Sequence, residues 1–83
     1  MRLWLVEREY DTRQTVTLRY ATVDGDATYT RQASVELLQR NPATAAVEKT
    51  EDDVAAVDDE EARERYAAEA ERMADEHDPD DVV

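Results

Sequence analysis

The chain has 83 residues, one glycine, no cysteine and a formal net charge of −12. Without cysteine it forms neither a disulfide nor a thiolate zinc site, and it has no apolar run of the roughly 18 residues that cross a membrane as a helix. So negative a field also disfavours nonspecific binding to nucleic-acid phosphates or anionic lipid.

The stretches 2–10 (RLWLVEREY) and 15–23 (TVTLRYATV) are rich in β-branched and aromatic residues and read as strands. In the first, Leu3 and Leu5 point one way and Trp4 and Val6 the other. A strand apolar on both faces is either central or covered by a helix on one side and a partner on the other. Asp24-Gly25 is a hairpin signal, because a two-residue type I′ turn needs positive φ at both central positions. That turn sets a register in which Val23 faces Asp26, Tyr20 faces Tyr29, Leu18 faces Arg31 and Val16 faces Ala33. Val16, Leu18, Tyr20, Tyr29 and Ala33 then share an apolar face, whereas Thr17, Arg19, Ala21, Thr28, Thr30 and Gln32 make a polar one.

Ser34 begins a stretch to Arg40 that fits a short capped helix or a continued strand, stopped by Asn41-Pro42. Residues 44–49 (TAAVEK) fit a short fourth strand on an edge. Thr50 and the acids after it fit an N-cap opening a single helical turn through Val57. Asp58 and Glu61 have capping-box spacing for a helix over 59–77, with Val57 placed to staple onto Ala62. Ala62, Tyr66, Ala70, Met73 and His77 form its apolar stripe. Asp59–Arg63, Glu61–Arg65 and Glu69–Arg72 are spaced for ion pairs on its solvated side. Residues 78–83 (DPDDVV) read as a disordered acidic tail.

The fold expected is therefore α+β: one small domain over 1–77, with an antiparallel sheet of three or four strands and the long C-terminal helix packed on one face. Trp4, Leu5, Val16, Leu18 and Tyr20 form the sheet side of its core, and Ala62, Tyr66, Ala70 and Met73 the helix side. That core is thin. Of the apolar residues 13 are alanine, against five leucines and nine valines, and small scaffolds of this kind lean on oligomerisation when they have no other staple. A homodimer is the expected remedy.

The net charge lies wholly in residues 41–83, where Lys49, Arg63, Arg65 and Arg72 face 16 acids, giving 4 − 16 = −12. Residues 1–40 balance six arginines against six acids. The acid excess and the ratio of one lysine to nine arginines fit life in molar salt. There the Debye length falls to about 3 Å and carboxylate repulsion is screened. A GC-rich genome accounts for the Ala, Arg, Val and Asp, but less readily for the acid excess. The opening MRLWLVEREY with YATVDGD, and the closing VDDEEARERYAAEAERMADEHDPDD, resemble short uncharacterised proteins of haloarchaea. The resemblance implies an origin and no activity.

Catalytic chemistry finds little support. One glycine cannot build a phosphate loop, and Ser34, His77 and the many acids lack any spacing that marks a triad. His77 reads as a helix-terminal residue favourable to the dipole, with a metal role beside Glu76, Asp78 or Asp80 as the lesser alternative. No cofactor or metal is expected, nor an enzyme. The candidate partner surface comprises Arg8, Arg19, Tyr20, Tyr29 and Arg31 in the neutral half, although Tyr20/Tyr29 read first as a hairpin-stabilising pair and only in the alternative as an exposed platform. Arg31, opposite Leu18, either snorkels at the sheet rim or pairs with an acid of the long helix. The expected function is a cytoplasmic, non-enzymatic interaction module that binds itself as a homodimer or another protein. The alternative is a nucleic-acid regulator using the Arg/Tyr sheet. Mimicry of a phosphate backbone by the acidic helix is a remoter possibility.

Overall fold

The computed structural model describes residues 1–83. It has five strands and two helices: β1 (Arg2–Tyr10), β2 (Thr15–Ala21), β3 (Ala27–Ser34), α1 (Val35–Arg40), β4 (Ala46–Glu48), β5 (Ala55–Ala56) and α2 (Glu60–Glu76). The strands form one antiparallel sheet in the order β4-β1-β2-β3-β5, with α2 packed against it. The architecture is α+β as expected, with one strand more than anticipated.

The β2–β3 register is the expected one: Tyr20 opposes Tyr29, Leu18 opposes Arg31 and Val16 opposes Ala33. The turn differs. Gly25 has φ 74°, but Asp24 does not take positive φ, so a type I′ turn is absent. Instead Gly25 N–H donates to the Thr22 carbonyl at 2.9 Å and Thr22 N–H to the Ala27 carbonyl at 3.1 Å. The loop thus spans Val23–Asp26, and Val23 and Asp26 lie within it. The Asp24 carboxylate accepts from the Thr22 hydroxyl and from Asp26 N–H, which holds Asp24 in a local turn of its own. Widening a hairpin loop by one residue on each side leaves every cross-strand pair unchanged, which is why the register survives.

Trp4 opposes Ala21 while Leu5 opposes Tyr20, so the two faces of β1 meet different layers. Leu3, Leu5, Val16, Leu18 and Tyr20 are all buried on one face. Over it lie Val35 and Leu38 of α1 and the segment that crosses from β4 at one edge to β5 at the other. Val54 of that segment packs on the core, and the Lys49 Nζ sits 4.6 Å from the Tyr29 ring centroid. The opposite face carries Trp4, Ala21 and Arg19, and α2 lies across it, with Arg19 Nη1 donating to the Tyr66 hydroxyl at 3.3 Å. Helix α2 therefore covers part of the face that alternation marks as polar, and the Leu18 face is closed by α1 and the crossing segment. Both apolar faces of β1 are satisfied within one chain.

The core residues named from sequence, Trp4, Leu5, Val16, Leu18 and Tyr20, are all buried, joined by Leu3 and by alanines at 21, 33, 43, 45, 46 and 70. Each fully buried leucine contributes about 1.5–3 kcal/mol and each alanine far less, so stability rests on few side chains. On α2 only Ala70 and Met73 are buried, with Ala62, Tyr66 and His77 half-buried on the same stripe.

Local boundaries follow their caps. Ser34 Oγ accepts from Leu37 N–H at 3.0 Å, which settles 34–40 as a capped helix, and β4 is the expected edge strand. The turn after Thr50 is a 3₁₀ turn over Glu51–Asp53 only, because the chain is then drawn into β5, pairing with Ala27 and Thr28. Asp59, not Asp58, caps α2, accepting from Ala62 N–H at 3.1 Å. The Glu69–Arg72 pair forms at 2.8 Å. Arg63 reaches instead toward Asp26 at 3.8 Å, and Arg65 lies over the Tyr66 ring.

Residues 78–83, expected to be a disordered tail, lie against the body of the protein in the structure. Ala45 N–H donates to the Asp81 carbonyl at 2.8 Å, Ala46 N–H to Pro79 at 3.1 Å and Val83 N–H to Ala43 at 3.0 Å. Asp78 and Asp80 are exposed, Asp81 Oδ2 accepts from Asp78 N–H at 2.9 Å, and the backbone of the segment covers the start of β4, a use of polar sequence that composition does not reveal.

Candidate interaction surface

The register places the candidate residues on two faces. Arg8 opposes Leu18, and Leu18 opposes Arg31, so the two arginines flank a buried leucine in one row across three strands. The next row is Leu5, Tyr20 and Tyr29. Arg19 lies on the opposite face and is held there by Glu7 Oε2 at 2.8 Å and by Tyr66. Burial opposes its charge, but the Tyr66 hydrogen bond and the Glu7 carboxylate outweigh that and hold the guanidinium above its ordinary pKa.

Tyr20 is 1% exposed and belongs to the core. Burial raises its phenol pKa, against the opposing pull of Arg31 and Arg8. Its ring and that of Tyr29 lie 6.0 Å apart and tilted by 36°, an aromatic pair of the kind that contributes about 0.5–1.5 kcal/mol. With Tyr20 buried and Lys49 over Tyr29, these rings offer no exposed stacking platform.

Arg8 turns to the chain's own end, where Nη2 donates to the Val83 backbone oxygen at 3.0 Å. Arg31 has no ion pair. It cannot reach an acid of α2, because the helix lies on the other side of the sheet. The five residues are thus not one patch: Arg8 and Arg31 share a face, Tyr20 underlies it, and Arg19 is tied to α2.

Two concavities adjoin Arg8 and Val83. One, of about 160 Å³, is walled mainly by Val16, Val35, Leu38 and Ala43, smaller than the roughly 300–1,000 Å³ of ligand pockets. The other, about 360 Å³, lies beside Met73 and His77, and its polar groups are engaged elsewhere. Glu7 pairs with Arg19, Arg72 with Glu69 and Glu76, and His77 Nδ1 stands 3.5 Å from Asp81 Oδ2. His77 is the C-cap of α2, its N–H donating to Met73 at 2.9 Å. No cluster of three His, Asp or Glu side chains is arranged to hold a metal.

What sequence reasoning missed is backbone, not side chain. Strands β2 and β3 together contain Arg19 and Arg31 and no acid, in a chain with 22 acids. That absence was visible in the sequence. That β3 lies next to the sheet's outermost position, flanked by a strand of only two residues, was not.

The chain belongs to a family of unknown function (DUF7967), whose model matches residues 1–83. No curated protein and no solved structure matches it.

Proposed function

We propose that this protein is a small, non-enzymatic protein-interaction module that acts as a homodimer in a salt-rich cytoplasm, with its partner surface on the acid-free strands β2 and β3. The observation that carries this reading is Arg31. It is half-buried and without an ion pair, on a strand free of acids, in a chain whose acids outnumber its bases by 22 to 10. Self-repulsion between two anionic copies is least on such a surface, and screening by molar salt weakens what remains. A nucleic-acid partner gains no comparable support, since stacking needs an exposed ring and Tyr20 is buried.

Sedimentation equilibrium in molar KCl tests the reading. A mass near twice the 9.5 kDa of one chain, lowered toward one chain by Arg31→Glu, supports it. A single 9.5 kDa species up to millimolar concentration removes the homodimer.

A further inference from the structure

The hydrogen bonds of the sheet define an open edge. Thr22 N–H bonds Ala27, and Val35 N–H bonds the Gln14 carbonyl at 3.0 Å, which fixes the antiparallel alternation between them. Tyr29, Arg31 and Ala33 therefore direct N–H and C=O toward β2, while Thr28, Thr30 and Gln32 direct theirs outward. On the outer side β5 pairs only Ala27 and Thr28, and the chain then leaves through the 3₁₀ turn. Thr30 and Gln32 are exposed, and the outward N–H and C=O of both meet no partner in the chain.

The other edges are blunted. The tail covers the start of β4 at Ala46, and the rest of that three-residue strand carries Glu48. The free part of β1 has a bulge between Leu5 and Glu7 and carries Glu7 and Glu9. A bulge and inward or flanking charges are the usual devices against edge pairing, and the β3 edge has only Arg31. Its Thr30–Ser34 stretch is uncharged otherwise.

We infer that the outer edge of β3 pairs antiparallel with β3 of a second copy about a twofold axis, joining two five-stranded sheets into one. This rests on the homodimer reading above and assigns its surface. A second copy is the occupant because the edge is self-complementary: outward donors and acceptors at Thr30 and Gln32 repeat under a twofold axis, and no carboxylate on either strand opposes another. Centring the axis on Arg31 sets like charges directly opposite. Centring it on Thr30 brings Gln32 of one copy against the position that β5 fills beside Thr28. Centring it on Gln32 avoids both: Gln32 then faces Gln32, Arg31 faces Ala33, and Thr30 faces Ser34.

The test uses the whole chain in molar KCl. Gln32→Pro removes an outward N–H and leaves the β2–β3 ladder intact, so a native circular dichroism spectrum with dimerisation weakened about tenfold or more is expected. Because the protein has no cysteine, Gln32→Cys supplies a unique thiol. In this register the paired Cα atoms stand about 5.5 Å apart, within disulfide range, so mild oxidation yields a covalent dimer, whereas Val23→Cys in the exposed loop does not. Amide exchange on the unaltered protein is a check that no folding defect can confuse: Thr30 and Gln32 N–H gain protection as concentration rises. A dimer whose Thr30 and Gln32 amides stay unprotected, and whose cysteine variants cross-link equally, overturns the edge assignment and leaves the homodimer standing. A wild-type monomer throughout overturns both.

Discussion

At Gly25 the hairpin lies directly against the backbone of α2, and this gives the sharpest stability prediction. A Cβ there sits 2.1 Å from the Arg63 carbonyl oxygen and 3.0 Å from both the Ala67 nitrogen and the Arg63 carbonyl carbon, all of them backbone atoms. No rotamer change relieves this, so the helix or the loop must move. The φ of 74° adds a separate cost for any residue with a Cβ. Left-handed φ costs about 1–2 kcal/mol for alanine, and overpacking of this kind typically about 1–3 kcal/mol. Gly25→Ala should therefore lose about 2–5 kcal/mol. At roughly 0.05–0.15 kcal/mol per residue, a chain of this size has only about 4–12 kcal/mol to lose. Urea unfolding followed by circular dichroism in molar KCl measures the difference. Gly25→Asn separates the two causes, because asparagine tolerates left-handed φ but still carries the Cβ. If steric approach dominates, both variants fall together. A Gly25→Asn protein within about 0.5 kcal/mol of wild type would refute the close approach of hairpin and helix.

Three further outcomes follow from the packing. Leu18→Ala, at a fully buried position between Arg8 and Arg31, should cost about 2–5 kcal/mol in the same unfolding assay, whereas Tyr10→Ala, 66% exposed, should cost little. Removing residues 79–83 deprives Ala45 and Ala46 N–H of their acceptors, so both amides should lose exchange protection while Tyr20 in the central strand keeps its own. The Asp24 carboxyl is held below its ordinary pKa by the Thr22 hydroxyl and the Asp26 N–H. Its contribution is thus present above the unfolded value near 3.8 and lost as pH falls through the lower folded one. Acid titration of stability should show a smaller decline below pH 3.8 in Asp24→Asn than in wild type.

Local periodicity was legible from the residues alone, and capping only in part, since Ser34 does cap a helix but Asp59 rather than Asp58 caps α2 and Thr50 makes no capping bond. The alternation in 15–23, the single glycine beside an aspartate, Ser34 before a helical stretch and the alanine- and acid-rich run to His77 each have a short-range cause. Short-range causes can be read in order along a chain. The hairpin register followed too, even though the turn that makes it is wider than expected, since two- and four-residue loops centred on one point give the same pairs. The candidate surface was legible only in part. Arg8 and Arg31 do share a face, but Tyr20 is in the core and Arg19 is bound to Glu7 and Tyr66.

Tertiary structure decided everything that depends on which element covers which. Nothing in residues 15–34 says that the Leu18 face is closed by α1 and a crossing segment, or that α2 lies over Arg19 and Ala21. The acidic tail was unreadable for the same reason: its side chains favour water, while its backbone carbonyls satisfy Ala45 and Ala46, and composition reports only the side chains. The open edge of β3 likewise exists only because β5 stops after two residues. Charge and pattern belong to the sequence because they are properties of single residues and near neighbours. Edges, covered faces and unpaired backbone groups belong to the fold because each is created by a segment far away in the chain.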